Sequence, residues 1–151
     1  MTKHPTPDEL GKPDLKIAGF QLWIHGRQFP DSEGDDGNWL IVTAHAGSSG
    51  ASVWTSGAIL MTEHLAHLTD QCEALRKGEM DEACMGEIEP DLKMRIQRID
   101  QLGHFSMHVD ITPDYLNQQH SFEFEIDQSY LPDIIRLCRS IIAKYPVLWG
   151  G

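Results

Sequence analysis

The sequence predicts an α+β fold, an antiparallel sheet of about six to seven strands with two amphipathic helices packed on one face. Three consecutive segments between residues 91 and 127 alternate apolar and polar side chains, the mark of an antiparallel sheet with one buried and one wet face. Met61, Leu65, Leu68, Cys72 and Leu75 recur at steps of four and three, which stacks them on one side of a helix. Leu131, Ile134, Ile135, Cys138, Ile141, Ile142 and Tyr145 mark a second such face.

Taken in order, residues 1–13 read as a flexible arm, because Pro5, Pro7, Gly11 and Pro13 break any periodicity. A single domain is expected over 14–148. Residues 15–25 alternate as one strand, with Phe20, Leu22 and Ile24 on one face and Gln21, Trp23 and His25 on the other. The segment PDSEGDDG (30–37) is a loop by its chemistry. A strand over Asn38–Ala46, a turn at GSSG (47–50) and a strand over Ala51–Ser56 form a hairpin. Thr62 suits the N-cap of the first helix, and Lys77-Gly78 suits its end. A short strand near Cys84–Ile88 returns the chain to the sheet.

The meander follows. Leu92, Met94 and Ile96 alternate with Lys93, Arg95 and Gln97. After a turn at Asp100–Gly103, Phe105, Met107, Val109 and Ile111 alternate with His104, Ser106, His108 and Asp110. After a loop at 112–120, Phe122, Phe124 and Ile126 alternate with Ser121, Glu123, Glu125 and Asp127. Ser129 then suits an N-cap, Pro132 sits harmlessly in the first helical turn, and Pro146 stops the helix. If the three strands are neighbours in order, their wet face is a graded ladder, from Lys93 and Arg95 through His104 and His108 to Glu123, Glu125 and Asp127.

Charge narrows the partners. The 151 residues carry 23 acids against 12 bases, a net charge of −11. Neither Glu79–Asp91 nor Gly103–Ile135 contains a Lys or Arg, and each carries six acids. Such a surface repels phosphate backbones and excludes nucleic acid as the expected partner, whereas a basic protein suits it. No apolar run is long enough to span a membrane, and the N-terminus lacks a secretory h-region, so the expected location is cytoplasmic. Cys72, Cys84 and Cys138 are an odd number set among apolar neighbours and read as reduced thiols.

Motifs for catalysis, metals and cofactors are missing, and none of these functions is expected. His64 and His67 are three apart rather than four, without the zincin glutamate. Ser48, Ser49, Ser52 and Ser56 crowd a Gly-rich hairpin but lack the G-x-S-x-G elbow, and GSSG lacks the Lys of a phosphate loop. Trp23 shares its face with Gln21 and His25, so an exposed aromatic beside Arg27 would serve protein recognition, and a second layer covering that face would explain it equally well. The expected partner-binding residues are therefore Trp23, His25, Arg27, His104, His108, Glu123, Glu125 and Asp127. Two other classes stay open: a self-associating structural protein using the Trp-bearing strands, and a small-molecule binder or enzyme with a pocket around His25, His45 and Ser52.

Four segments, IHGRQFPD (24–31), DGNWL (36–40), GASVWTSG (50–57) and FEFEIDQSYL (122–131), together resemble the WapI-type family of small bacterial immunity proteins. The likeness covers most of residues 15–145. It implies a cytosolic antidote that binds a cognate toxin domain stoichiometrically, without catalysis of its own and without catalytic residues to assign.

Overall fold

The chain folds as two consecutive meanders, each closed by a helix, in a computed structural model that describes residues 7–86 and 89–149. A single helical turn α1 (Pro7–Leu10) precedes β1 (Leu15–Ile17), β2 (Phe20–Arg27), β3 (Trp39–Ser48) and β4 (Ala51–Met61), with a 3-10 turn at Asp35–Asn38. Helix α2 (Thr62–Lys77) follows. The second meander is β5 (Glu82–Met85), β6 (Leu92–Arg98), β7 (His104–Ile111) and β8 (Ser121–Asp127), and α3 (Tyr130–Lys144) ends it. No helix among the described residues is long and apolar enough to cross a membrane.

The α+β class holds, but the strands form two four-stranded antiparallel sheets, ordered β1-β2-β3-β4 and β5-β6-β7-β8, rather than one sheet of six to seven. Alternation reports which side of a strand is buried; it does not report which strands share a sheet. The partition comes from α2, which separates the meanders and packs on β5 and α3. The sheets also meet directly, β3 touching β7 and β8, and β4 touching β6 and β7. Their inward faces and both long helices share one buried cluster, from Leu15 through Ile141.

Within this frame two predicted strands change. The strand over 15–25 is a hairpin, β1 pairing with β2 across Ala18-Gly19, with Ile17 opposite Phe20. The step of three from Ile17 to Phe20, amid steps of two, is the trace of that reversal. A Cβ on Gly19 would lie 2.2 Å from the Gly47 carbonyl oxygen and 2.6 Å from the Phe124 ring, so only glycine fits where the two sheets touch. The strand predicted to end at Ser56 runs on to Met61, because a register shift opposite Leu40–Val42 resets its phase. Buried Ile59, Leu60 and Met61 then deliver the chain into α2.

The helix ends differ in detail. Thr62 is the first helical residue of α2 rather than its cap, Met61 being the N-cap; the Met61 N–H donates to His64 Nδ1 at 3.1 Å. Gly78, at φ 75°, closes the other end as predicted. Ser129 does cap α3 by position, but its hydroxyl turns back to Asp127 instead of the helix. In the fourth expected strand only Glu82–Met85 is extended; Glu87 and Ile88 of that expectation lie outside the described residues, as do residues 1–6 of the N-terminal arm.

The meander itself folds in the predicted register. Leu92, Met94, Ile96, Phe105, Met107, Val109 and Ile126 are buried, while Phe122 and Phe124 are only half-buried because β8 is an edge strand. The three cysteines are free thiols, and burial pushes both Cys72 and Cys138 up to about 12, which leaves them unreactive.

Candidate functional site

Because β6, β7 and β8 are hydrogen-bonded neighbours, the wet side chains of the second sheet line up in rows. One row runs Cys84, Arg95, His108, Glu123, and the next Glu82, Gln97, Ser106, Glu125. His104 stands opposite Asp127, and Lys93 opposite Asp110. The charge grades across the sheet from bases on β6 to acids on β8, as the pattern predicts for strands in order.

Short-range contacts fix that face. Ser106 Oγ donates to Glu123 Oε1 at 2.7 Å, and His108 Nε2 lies 3.5 Å from the same oxygen. Arg95 reaches back across the sheet to Glu82 at 3.7 Å. Between Arg95 and His108 the surface sinks into a depression of about 200 Å³, lined also by Cys84, Met94, Lys93 and Asp110. At the sheet's end, Asp100 accepts from the backbone N–H groups of Leu102 and His104 and pairs with His104 Nδ1 at 2.8 Å. That hydrogen bond and the charge of Asp100, with Glu125 and Asp127 beyond it, raise the His104 pKa above its ordinary value. The same hydrogen bond lowers Asp100, and the Ser129 hydroxyl and N–H lower Asp127. Both carboxylates are therefore held ionised.

Five of the eight expected partner residues, His104, His108, Glu123, Glu125 and Asp127, thus share one solvent-facing surface. The other three stand on β2, in the other sheet. Trp23 is 3% exposed, with its ring stacked on Trp54 at 5.8 Å and its Nε1 donating to the Gly11 carbonyl at 3.0 Å. The segment before β1 covers the face that alternation assigned to solvent, so Trp23 is a packing residue and not an exposed anchor. Arg27 is an internal tie: it donates to the Gly37 and Pro146 carbonyls at 2.6 and 2.5 Å and lies 6.0 Å from the Tyr145 ring centre. Beside it, buried Asn38 donates to the Leu148 carbonyl and accepts from the Leu148 N–H, at 2.9 and 2.7 Å. His25 is exposed, with Nε2 2.8 Å from Thr43 Oγ1.

Sequence reasoning missed Asp100 and Ser106, which orient His104 and Glu123. The signal for Asp100 was present: an acid four residues before a histidine across a Gly turn. His45 and Ser52 do meet, at 2.6 Å, but His25 is not with them; it bonds Thr43 instead. Among the described residues no group of three or more His, Cys, Asp or Glu side chains could hold a metal ion.

The sequence profile of the family described as "Immunity protein WapI-like family" matches residues 13–146, nearly the whole chain. The chain belongs to the WapI-like immunity protein family. No curated protein matches its sequence. Among solved structures, this WapI-like chain is similar to Trypanosoma bruciei MRP1/MRP2, at 11% identity over 84% of this chain and 76% of that one, with a TM-score of 0.44. It is also similar to WHY1 from Arabidopsis thaliana, at 9% identity over 85% and 78%, with a TM-score of 0.43.

Proposed function

We propose that this WapI-like protein is a bacterial antidote that neutralises a cognate toxin domain by stoichiometric protein–protein binding, without catalysis, and that the outward face of β6–β8 meets the toxin. Membership of an immunity family supports the toxin as partner. The observation that carries the choice of surface is the row of Glu123, Glu125 and Asp127 on the edge strand, presented to solvent by a sheet whose Lys93 and Arg95 lie two strands away. Ordered carboxylates on a rigid strand suit a basic cleft, such as one that receives phosphates, and they speed encounter by long-range attraction. Nucleic acid and membranes are not the partners of such a surface. A cytoplasmic location follows from the same reading.

The experiment is to produce the toxin domain encoded beside this gene and titrate the two proteins calorimetrically at salt concentrations from about 50 to 300 mM. One-to-one binding that weakens by about tenfold or more over that range is expected. No binding removes the antidote reading, and binding indifferent to salt removes the acidic face as its basis.

A further inference from the structure

On the outward face of the first sheet, three side chains from three strands form a relay. Gln21 and His45 are direct cross-strand partners, and Ser52 stands diagonally across the β3–β4 hairpin, opposite Gly47. His45 Nδ1 lies 3.2 Å from Gln21 Oε1, and His45 Nε2 lies 2.6 Å from Ser52 Oγ. An amide oxygen can only accept, so Nδ1 carries the proton and Nε2 presents its lone pair to the serine hydroxyl. Trp54 holds the ring in place, its centre 4.3 Å from that of His45. A surface dish opens beside the exposed Ser52, lined by Lys16, Gly19, Gly47, Ser48 and Ala51.

We propose that Ser52 is an activated nucleophile seated in a site for small acyl electrophiles, with His45 as its general base and Gln21 as the residue that positions the ring. A nucleophile within hydrogen-bond reach of a base, itself oriented by a third group, is the arrangement that activates a hydroxyl. In the step, Ser52 Oγ attacks the carbonyl carbon of an ester while its proton passes to His45 Nε2. The tetrahedral adduct then expels the alcohol oxygen, which takes that proton, leaving a Ser52 ester and a free alcohol. Burial lowers the His45 pKa, so the ring is in its neutral, basic form at neutral pH. Among the described residues, Lys16 is the one other titratable side chain lining the dish. Gln21 is neutral and offers the imidazolium less stabilisation than a carboxylate, so both acylation and deacylation are slow. With an activated ester, whose leaving group departs far more readily than the Ser52 alkoxide, acylation is expected to outrun deacylation and the Ser52 ester to accumulate.

The test is to treat the full chain with 4-nitrophenyl acetate and map acetylation by peptide mass spectrometry, with Ser48 and Ser49 of the same turn as internal references. Ser52 is expected to acetylate about tenfold or more faster than either, with His45→Gln lowering it to their level. In the unsubstituted chain the rate should climb with pH and level off below the ordinary histidine range. Gln21→Glu, which places a negative charge on Nδ1, should move that profile upward, a shift that a merely structural Gln21 has no means to produce. Equal acetylation of the three serines, or a Ser52 rate that His45→Gln leaves unchanged, overturns the proposal. The pH profile of the unsubstituted chain decides the matter even where a variant fails to fold: a flat profile overturns it too.

Discussion

The two sheets are built alike, four antiparallel strands in chain order with a helix after them, yet their outward faces are put to opposite uses. On the first sheet the protein itself covers only the part of that face around Trp23, which stacks on Trp54 and is pinned to Gly11. His25, Thr43 and Ser56, and again Gln21, His45 and Ser52, are joined in cross-strand hydrogen-bond chains that leave His25 and Ser52 exposed. On the second sheet the outward side chains are charged and face solvent, graded from Arg95 to Glu123. The contrast teaches that period-2 alternation identifies two faces but not their fates. A polar face becomes interior as soon as a neighbouring segment lies on it.

The comparison breaks most readily at the junction. Gly19→Ala drives a methyl into the Gly47 carbonyl and the Phe124 ring, and about 3 kcal/mol of destabilisation is expected, read from the shift in urea midpoint. Asn38→Ala leaves the Leu148 backbone without its side-chain partners in a buried setting; about 2 kcal/mol is expected by the same measurement. Trp23→Phe keeps most of the ring but loses the bond to Gly11, for about 1 kcal/mol. If Trp23 were a partner anchor instead, that change would cost toxin affinity and spare stability.

The second sheet is expected to behave in the opposite sense. Glu123→Gln with Glu125→Gln should change stability by no more than about 0.5 kcal/mol, since both side chains are exposed, while weakening toxin binding by about tenfold in the calorimetric titration. A large loss of stability from these two changes would place the acids in the scaffold. The smallest effect concerns His104. Its pKa is raised in the folded chain, so the Asp100–His104 pair adds stability that is full below the ordinary histidine value of 6.5 and is lost as pH rises through the raised value. Asp100, whose pKa is lowered, loses its share only as pH falls through the acid range. A proton NMR titration should show His104 titrating above 6.5, and Asp100→Asn should bring it back down.

Much of this was readable from residues alone, for identifiable reasons. The meander was legible because Leu92 to Ile126 keep strict alternation and every strand pairs with its sequence neighbour, so the order assumed for the charge ladder is the order found. The apolar faces of α2 and α3 were legible from steps of three and four. Sheet partition was not, because it depends on which surface α2 packs against. The burial of Trp23 depends on a backbone carbonyl twelve residues earlier, at Gly11, which no local pattern announces. Gly19 fell inside the single strand expected over 15–25; its necessity comes from Gly47 and Phe124, one on a different strand and one in a different sheet. Of the candidate site, charge and order were legible, while the Asp100 and Ser106 contacts needed side-chain geometry.

The strict neighbour-to-neighbour order of both sheets has a kinetic consequence. No strand has to wait for a partner from the other half of the chain, so each meander closes only the short loop to its predecessor, and the entropy lost at each step is small. The two halves are thus able to assemble separately during synthesis, the first before the second has been made. Their docking, which brings Phe124 against Gly19 and completes the shared core, is then expected to be the last step.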